Sequence, residues 1–90
     1  MREVFLTTTF RRDYKRLAKN GQANLNLLKD VVALLANDLP LEIKHRDHAL
    51  TGDWVGFREC HIRPDWLLIY KLLPGRLYLA RSGSHAVLFG

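Results

Sequence analysis

The sequence predicts an α+β fold: a helical hairpin packed on a small, mostly antiparallel sheet, in the order β-α-α-β-β-β, as one two-layer domain over residues 1–90. Three observations carry this. Apolar residues recur at helical spacing through the first half of the chain. Three strand-like segments joined by proline-containing turns occupy the second half. A short β-branched segment precedes both.

Residues Arg2 to Thr7 contain Val4-Phe5-Leu6 and read as the first strand. From Thr9 the period changes: Phe10, Tyr14, Leu17 and Ala18 define a helix, with Thr8 or Thr9 as N-cap and Asn20-Gly21 as C-cap. Arg11, Arg12, Lys15, Arg16 and Lys19 line its other side. A second helix spans about Asn24 to Asn37, where Leu25, Leu28, Val32 and Leu35 form a stripe widened by Leu27, Val31 and Leu34. Asp38-Leu39-Pro40 ends it, because proline disfavours helical geometry in the residue before it. The join at Asn20-Gly21-Gln22 is short enough for an αα-hairpin. Residues 41–54, with their charges, two histidines and Thr51-Gly52-Asp53, read as a loop. Strands follow at Phe57 to Ile62, Trp66 to Leu72 and Arg76 to Ser82, connected at hairpin length by Arg63-Pro64-Asp65 and Leu73-Pro74-Gly75. Trp66-Leu67-Leu68-Ile69-Tyr70 is continuously apolar, as expected of a central strand covered on both faces.

Composition narrows the function classes. Fourteen Lys plus Arg against nine Asp plus Glu give a net charge of +5, a balance that favours nucleic acid or an acidic protein partner. No apolar run reaches the ~18 residues of a membrane span, and no long apolar stretch follows Met1-Arg2-Glu3-Val4, so a cytoplasmic protein is expected. Cys60 is the single cysteine, which excludes an intramolecular disulfide and a Cys-x-x-Cys zinc site. His45-x-x-His48 lies in a loop without rigid helical spacing, and no His-Glu-x-x-His is present, so no metal or other cofactor is expected.

The chemistry concentrates in four histidines, His45, His48, His61 and His85. Imidazole titrates near neutrality, and RNA transesterification needs one such group as base and another as acid. The base takes the 2′-hydroxyl proton as that oxygen attacks the neighbouring phosphorus; the acid protonates the departing 5′ oxygen. Arg81, four residues from His85, is a candidate for the charge on the phosphoryl oxygens. Each candidate also has a plainer reading. His45 sits in a solvated basic loop, His48 can cap the entry to the sheet, and His61 can be a half-buried strand residue. His85 follows the last strand after Gly83-Ser84, where backbone can present a side chain. Asp65 either orients an imidazole or is a turn residue. Trp66 and Phe89 either stack a base or belong to the core.

The second half resembles a known family. Asp47-His48-Ala49-Leu50-Thr51-Gly52-Asp53-Trp54, with Gly56-Phe57-Arg58-Glu59-Cys60-His61, is similar to the central block of YafQ-type toxins, a branch of the RelE/ParE superfamily of bacterial toxin–antitoxin systems. Pro64-Asp65-Trp66-Leu67-Leu68-Ile69-Tyr70-Lys71 and the stretch from Arg81 to Gly90 continue the match, which is close over residues 47–90. The resemblance implies a RelE-like fold and a ribosome-dependent endoribonuclease that cuts translating mRNA. It also implies a cognate antitoxin, and operator DNA bound mainly through that antitoxin. By motif position, His48, His61, Asp65 and His85 match the family's active-site residues, and Arg81, Trp66 and Phe89 match neighbouring groups. His85 is then the general acid and His48 or His61 the base, with Asp65 orienting an imidazole and Arg81 facing the phosphoryl charge. The competing reading is a non-catalytic module that binds nucleic acid, the ribosome or an antitoxin. In that case the histidines are structural. Gyrase poisoning, as on the ParE side, gives them no task.

Overall fold

The computed structural model describes residues 1–21 and 23–90. The elements run β1 (Glu3–Leu6), α1 (Thr8–Lys19), α2 (Leu25–Ala36), β2 (His48–Ala49), β3 (Arg58–Arg63), β4 (Trp66–Leu73), β5 (Arg76–Gly83) and α3 (His85–Phe89). The sheet has five strands in the order β1-β5-β4-β3-β2; only the β1–β5 pair is parallel. The expected α+β layering therefore holds, with two additions. The region read as a loop holds the edge strand β2 and 3-10 turns at Ile43–His45 and Gly52–Trp54, and the chain closes in a short helix. A two-residue strand leaves too little alternation to be visible as a pattern.

Helix ends follow side-chain chemistry. The N-cap of α1 is Thr7, not Thr8 or Thr9: its Oγ1 accepts from the Phe10 N–H at 3.0 Å and donates to the Ala80 carbonyl at 2.8 Å. One hydroxyl thus satisfies an orphan helix donor and ties the helix start to β5. α2 starts at Asn24, whose side chain accepts from Asn26 N–H. Its end is a Schellman motif, before Pro40 acts. The Leu39 N–H reaches Leu34 O at 2.9 Å and the Asp38 N–H reaches Leu35 O at 3.3 Å, with Asp38 left-handed at φ 57°. Of the expected hairpin join, Gln22 lies outside the described residues.

The alternation along β4 explains its continuous apolarity. Trp66, Leu68 and Tyr70 face Phe10, Leu28, Val31 and Leu35 of the two helices. Leu67 and Ile69 face the other way and meet Ala80 and Leu88, covered by Leu50, Trp54 and Phe57. Both faces are buried, but the second cover is the 50–57 segment and α3, not a helix layer. On α2 the deepest line runs through Leu28, Val31 and Leu35, while Val32 is only half-buried. β1 lies at the edge, fastened by Phe5 stacked on Tyr78 at 5.1 Å between centroids.

Two features aim side chains at one end of the sheet. A bulge between His61 and Arg63 interrupts the β3–β4 register, and a second at Ala80 precedes Arg81. A bulge adds a residue to one strand and turns the side chains beside it. The Leu73-Pro74-Gly75-Arg76 turn at the opposite end has Gly75 at φ +71°, as glycine at the third turn position after proline requires.

Candidate active site

Antiparallel pairing sets His48 of β2 directly opposite Glu59 of β3. His61, two residues beyond Glu59, shares its side of the strand. Glu59 is buried, yet its Oε1 lies 3.8 Å from Nε2 of His48 and 3.7 Å from Nε2 of His61. One carboxylate thus stands between two imidazoles. The other ring nitrogens face backbone carbonyls: Nδ1 of His48 meets Arg46 O at 2.7 Å, and Nδ1 of His61 meets Pro64 O at 3.2 Å. A carbonyl only accepts, so each Nδ1 carries the proton. Each Nε2 of the neutral ring is then the basic nitrogen.

His85 is presented differently. Ser84 caps α3, its Oγ accepting from Val87 N–H, so His85 is the first helical residue. Asp65, in the β3–β4 turn, accepts from the His85 N–H at 3.1 Å and from its Nδ1 at 2.8 Å. Those two hydrogen bonds hold the Asp65 carboxyl below its usual value of 3.8, so it is ionised at neutral pH. The pairing turns Nε2 of His85 away from Asp65. The His85 ring lies 5.8 Å from that of His61 and 6.4 Å from that of Phe89, which is exposed. His48 and His85 are about half exposed (51% and 54%) and His61 is largely covered (12%).

The structure therefore gathers His61, Asp65, His85 and Phe89, and connects His48 to them through Glu59. Two expectations change. Trp66 is 7% exposed in the main core, and its Nε1–H donates to Ser82 Oγ at 2.9 Å, so it offers no face to a base. Its place on the helix-facing side of β4 decides this. Arg81 is committed to Asp13 of α1: Nε and Nη2 donate to its two carboxylate oxygens at 3.1 and 3.0 Å. A two-pronged hold on phosphate through those nitrogens is closed in this arrangement.

Sequence reasoning missed Asp13, Glu59 and Asp47. Asp13 lies among the charges of α1, yet it is 1% exposed and also accepts from Arg16 Nη2 and Ser82 N–H. Burial raises its pKa, but the bonds from Arg81, Ser82 and Arg16 outweigh that and hold the carboxyl below 3.8. Asp47 accepts a short hydrogen bond from the buried Tyr70 hydroxyl and pairs with Arg58 at 3.1 Å. Burial, then the Asp47 bond, push the Tyr70 phenol up. This cluster anchors the backbone immediately before His48. The one available signal was alternation: a charged Glu59 between strand residues is unusual when it faces the covered side.

His45 is turned toward β3, its Nδ1 meeting His61 O at 2.7 Å. A different trio converges. Donor atoms of Glu59, His61 and His85 lie within 4.8 Å of one another and can hold a cation. Cys60, fully buried with its thiol pushed up to about 12 mainly by burial, is not a thiolate ligand at neutral pH.

Among known proteins, the mRNA interferase toxin YafQ of Escherichia coli K12 is 42% identical over 90 residues, covering 99% of this chain and 97% of the relative. The E. coli DinJ–YafQ complex has a chain with a TM-score of 0.91 at 41% identity, all of both chains being covered. A metal-bound toxin from Helicobacter pylori superposes with a TM-score of 0.92 at 44% identity, covering 99% of this chain and 100% of that one. A copper-bound mutant toxin from the same organism gives 0.92 at 40%, with the same coverage. The model of the family described as "Bacterial toxin of type II toxin-antitoxin system, YafQ" matches residues 2–90, and with these relatives it establishes that the chain belongs to the YafQ family of type II toxins.

Proposed function

We propose that the chain cuts messenger RNA during translation by metal-independent transesterification, with His85 as general acid and His48 as general base. The enzyme class follows from the family and its relatives: an mRNA interferase, which is an endoribonuclease. Its partner as a toxin is a cognate antitoxin, as DinJ is for YafQ. Operator DNA is reached mainly through that antitoxin, and the substrate is met on the ribosome.

The observation that carries the mechanism is the Asp65–His85 pair at 2.8 Å beside His61, with Glu59 linking His61 to His48. In the reaction the 2′-oxygen bonds to phosphorus while its proton passes to an imidazole Nε2. The P–O5′ bond breaks and the 5′ oxygen takes a proton from Nε2 of His85. The products are a 2′,3′-cyclic phosphate and a 5′-hydroxyl. The exposure of the rings supports the division between His48 and His61. His48 is open to substrate, whereas His61 lies beneath, where it and Glu59 orient the site. Asp65 holds the His85 ring with Nε2 outward. Phe89 offers an exposed ring on which a base can stack. Arg81 contributes its positive charge and, at most, a one-pronged contact through Nη1.

Primer extension on translating mRNA tests this. His85→Ala loses about 10²–10⁴-fold in cleavage, the usual worth of a positioned acid. A bridging 5′-sulfur at the scissile bond, which leaves without a proton, restores His85→Ala and leaves His48→Ala slow. Restoration of neither variant, or of both, removes the assignment.

A second reading concerns the cation trio. It is favoured by the convergence of Glu59, His61 and His85 and by the metal held by the Helicobacter toxin. A copper ion held by Glu59, His61 and His85 would take up the His85 imidazole that acts as acid, and so would inhibit. Cleavage therefore persists in EDTA and falls when copper is added; loss of cleavage in EDTA reverses this reading.

A further inference from the structure

Two clefts open on either side of the Pro64–Asp65 turn, with volumes of about 600 and 650 Å³, inside the 300–1,000 Å³ of ordinary ligand sites. The first lies between α2 and the 3-10 turn at Ile43–His45. Leu27 and Leu34 form its apolar wall over the buried Val31 and Ile62, and His61 reaches it from the active site. The second lies between α1 and α3, bordered by Leu17, Pro64, Val87 and Asp65. One cleft therefore adjoins the base side of the site through His61, and the other adjoins His85 through Asp65. Arg63 lines both.

The cations around these clefts divide by commitment. Lys44 is paired with Glu42, and Arg16 and Arg81 are paired with Asp13. Among the described residues no carboxylate lies within ion-pair distance of the side chains of Arg46 and Arg63, both exposed. Asp30 and Glu42 also border the first cleft, so the cationic surplus there rests on those two arginines. An unpaired guanidinium between two apolar-walled clefts matches a single-stranded polynucleotide: phosphate on the ridge, a base on either side.

Taking the reading above as its basis, we propose that the two clefts seat the nucleotides flanking the scissile phosphate, with Arg63 on the ridge and Arg46 at the rim of the first cleft holding the RNA backbone. The apolar walls receive base faces, while the histidines address the phosphate between.

The probe is a fully 2′-O-methylated single-stranded oligoribonucleotide, which cannot be cleaved, binding the intact chain across a salt series. Arg63→Gln, at an exposed position that leaves folding unchanged, binds about 3–10-fold more weakly than wild type at low salt. Its log K against log salt slope is shallower by about 0.7, the value of one phosphate contact on a single strand. Adding Arg46→Gln lowers the slope again. Methyl NMR signals of Leu27 and Val87 move on titration, while those of Val4 and Val32, which line a separate apolar groove between β1 and the helices, stay still. An unchanged slope for Arg63→Gln, no binding by wild type, or an effect confined to antitoxin binding overturns the inference. The readout is binding, so failure of the histidine mechanism shows instead as cleavage that survives His85→Ala.

Discussion

Two aspartates, Asp13 and Asp65, are held in much the same way and serve different ends. Each accepts a backbone N–H and a side-chain N–H from the strand-to-helix segment 81–85: Asp13 from Ser82 and Arg81, Asp65 from the two donors of His85. Each carboxyl is held below its usual value, Asp13 by bonds that outweigh its burial and Asp65 chiefly by the two His85 bonds. They differ in exposure, 1% against 71%. The buried Asp13 carboxylate cannot reach substrate, and removing it leaves the largely covered Arg81 charge without its partner. An exposed pair adds little to stability but leaves its imidazole free for chemistry. Burial, with the bonding pattern nearly constant, separates brace from machinery.

Variants can break or sharpen that contrast. The largest effect belongs to the exposed side: His85→Ala loses the two to four orders of magnitude in cleavage given above, with a melting midpoint equal to wild type by calorimetry. Next comes the buried side. Asp13→Ala leaves Arg81 without its carboxylate and destabilises the fold by about 3–5 kcal/mol in urea titration, the range for removing one partner of a buried pair. If Asp13→Ala melts like wild type, the brace is not a brace. Asp65→Asn is smaller: it loses the charge beside His85 and slows cleavage about 10–100-fold, as for other groups that orient a functional imidazole. Its melting midpoint falls less than that of Asp13→Ala, because its pair is solvated.

The smallest effect is in acid. Both carboxyls have folded values below the unfolded 3.8, so their stabilisation is present above that value. It is lost as pH falls from there through the lower folded value. Asp13→Ala therefore flattens stability against pH below about 4, measured by urea midpoints at several pH values. Asp65→Asn flattens it less, because its pair is solvated. Equal flattening by both variants removes the distinction.

Much of the architecture was readable along the chain because the signals are local. The helical period and the proline turns placed α1, α2, β3, β4 and β5 within a residue or two at each end. The unbroken apolar run from Trp66 to Tyr70 announced a strand covered on both faces. β2 was not readable, since two residues paired only across the sheet carry no period of their own. Nor was the cap at Thr7, whose donor to Ala80 lies 73 residues away. In the site, His48, His61, Asp65 and His85 came from motif positions, and the structure draws His61, Asp65 and His85 together. Trp66 and Arg81 went to the core and to Asp13, because their neighbours belong to other elements.

By itself the sequence determined the elements, the positive charge and which residue types are able to move a proton, since propensity, period and side-chain chemistry act over a few neighbours. Only the tertiary structure decided which of those groups meet. Glu59 between two imidazoles, Asp13 under Arg81, and Arg63 on the ridge between two clefts each depend on strand register and helix docking. Register and docking are settled by burial across the whole chain, and a charge acquires its role from what burial leaves beside it.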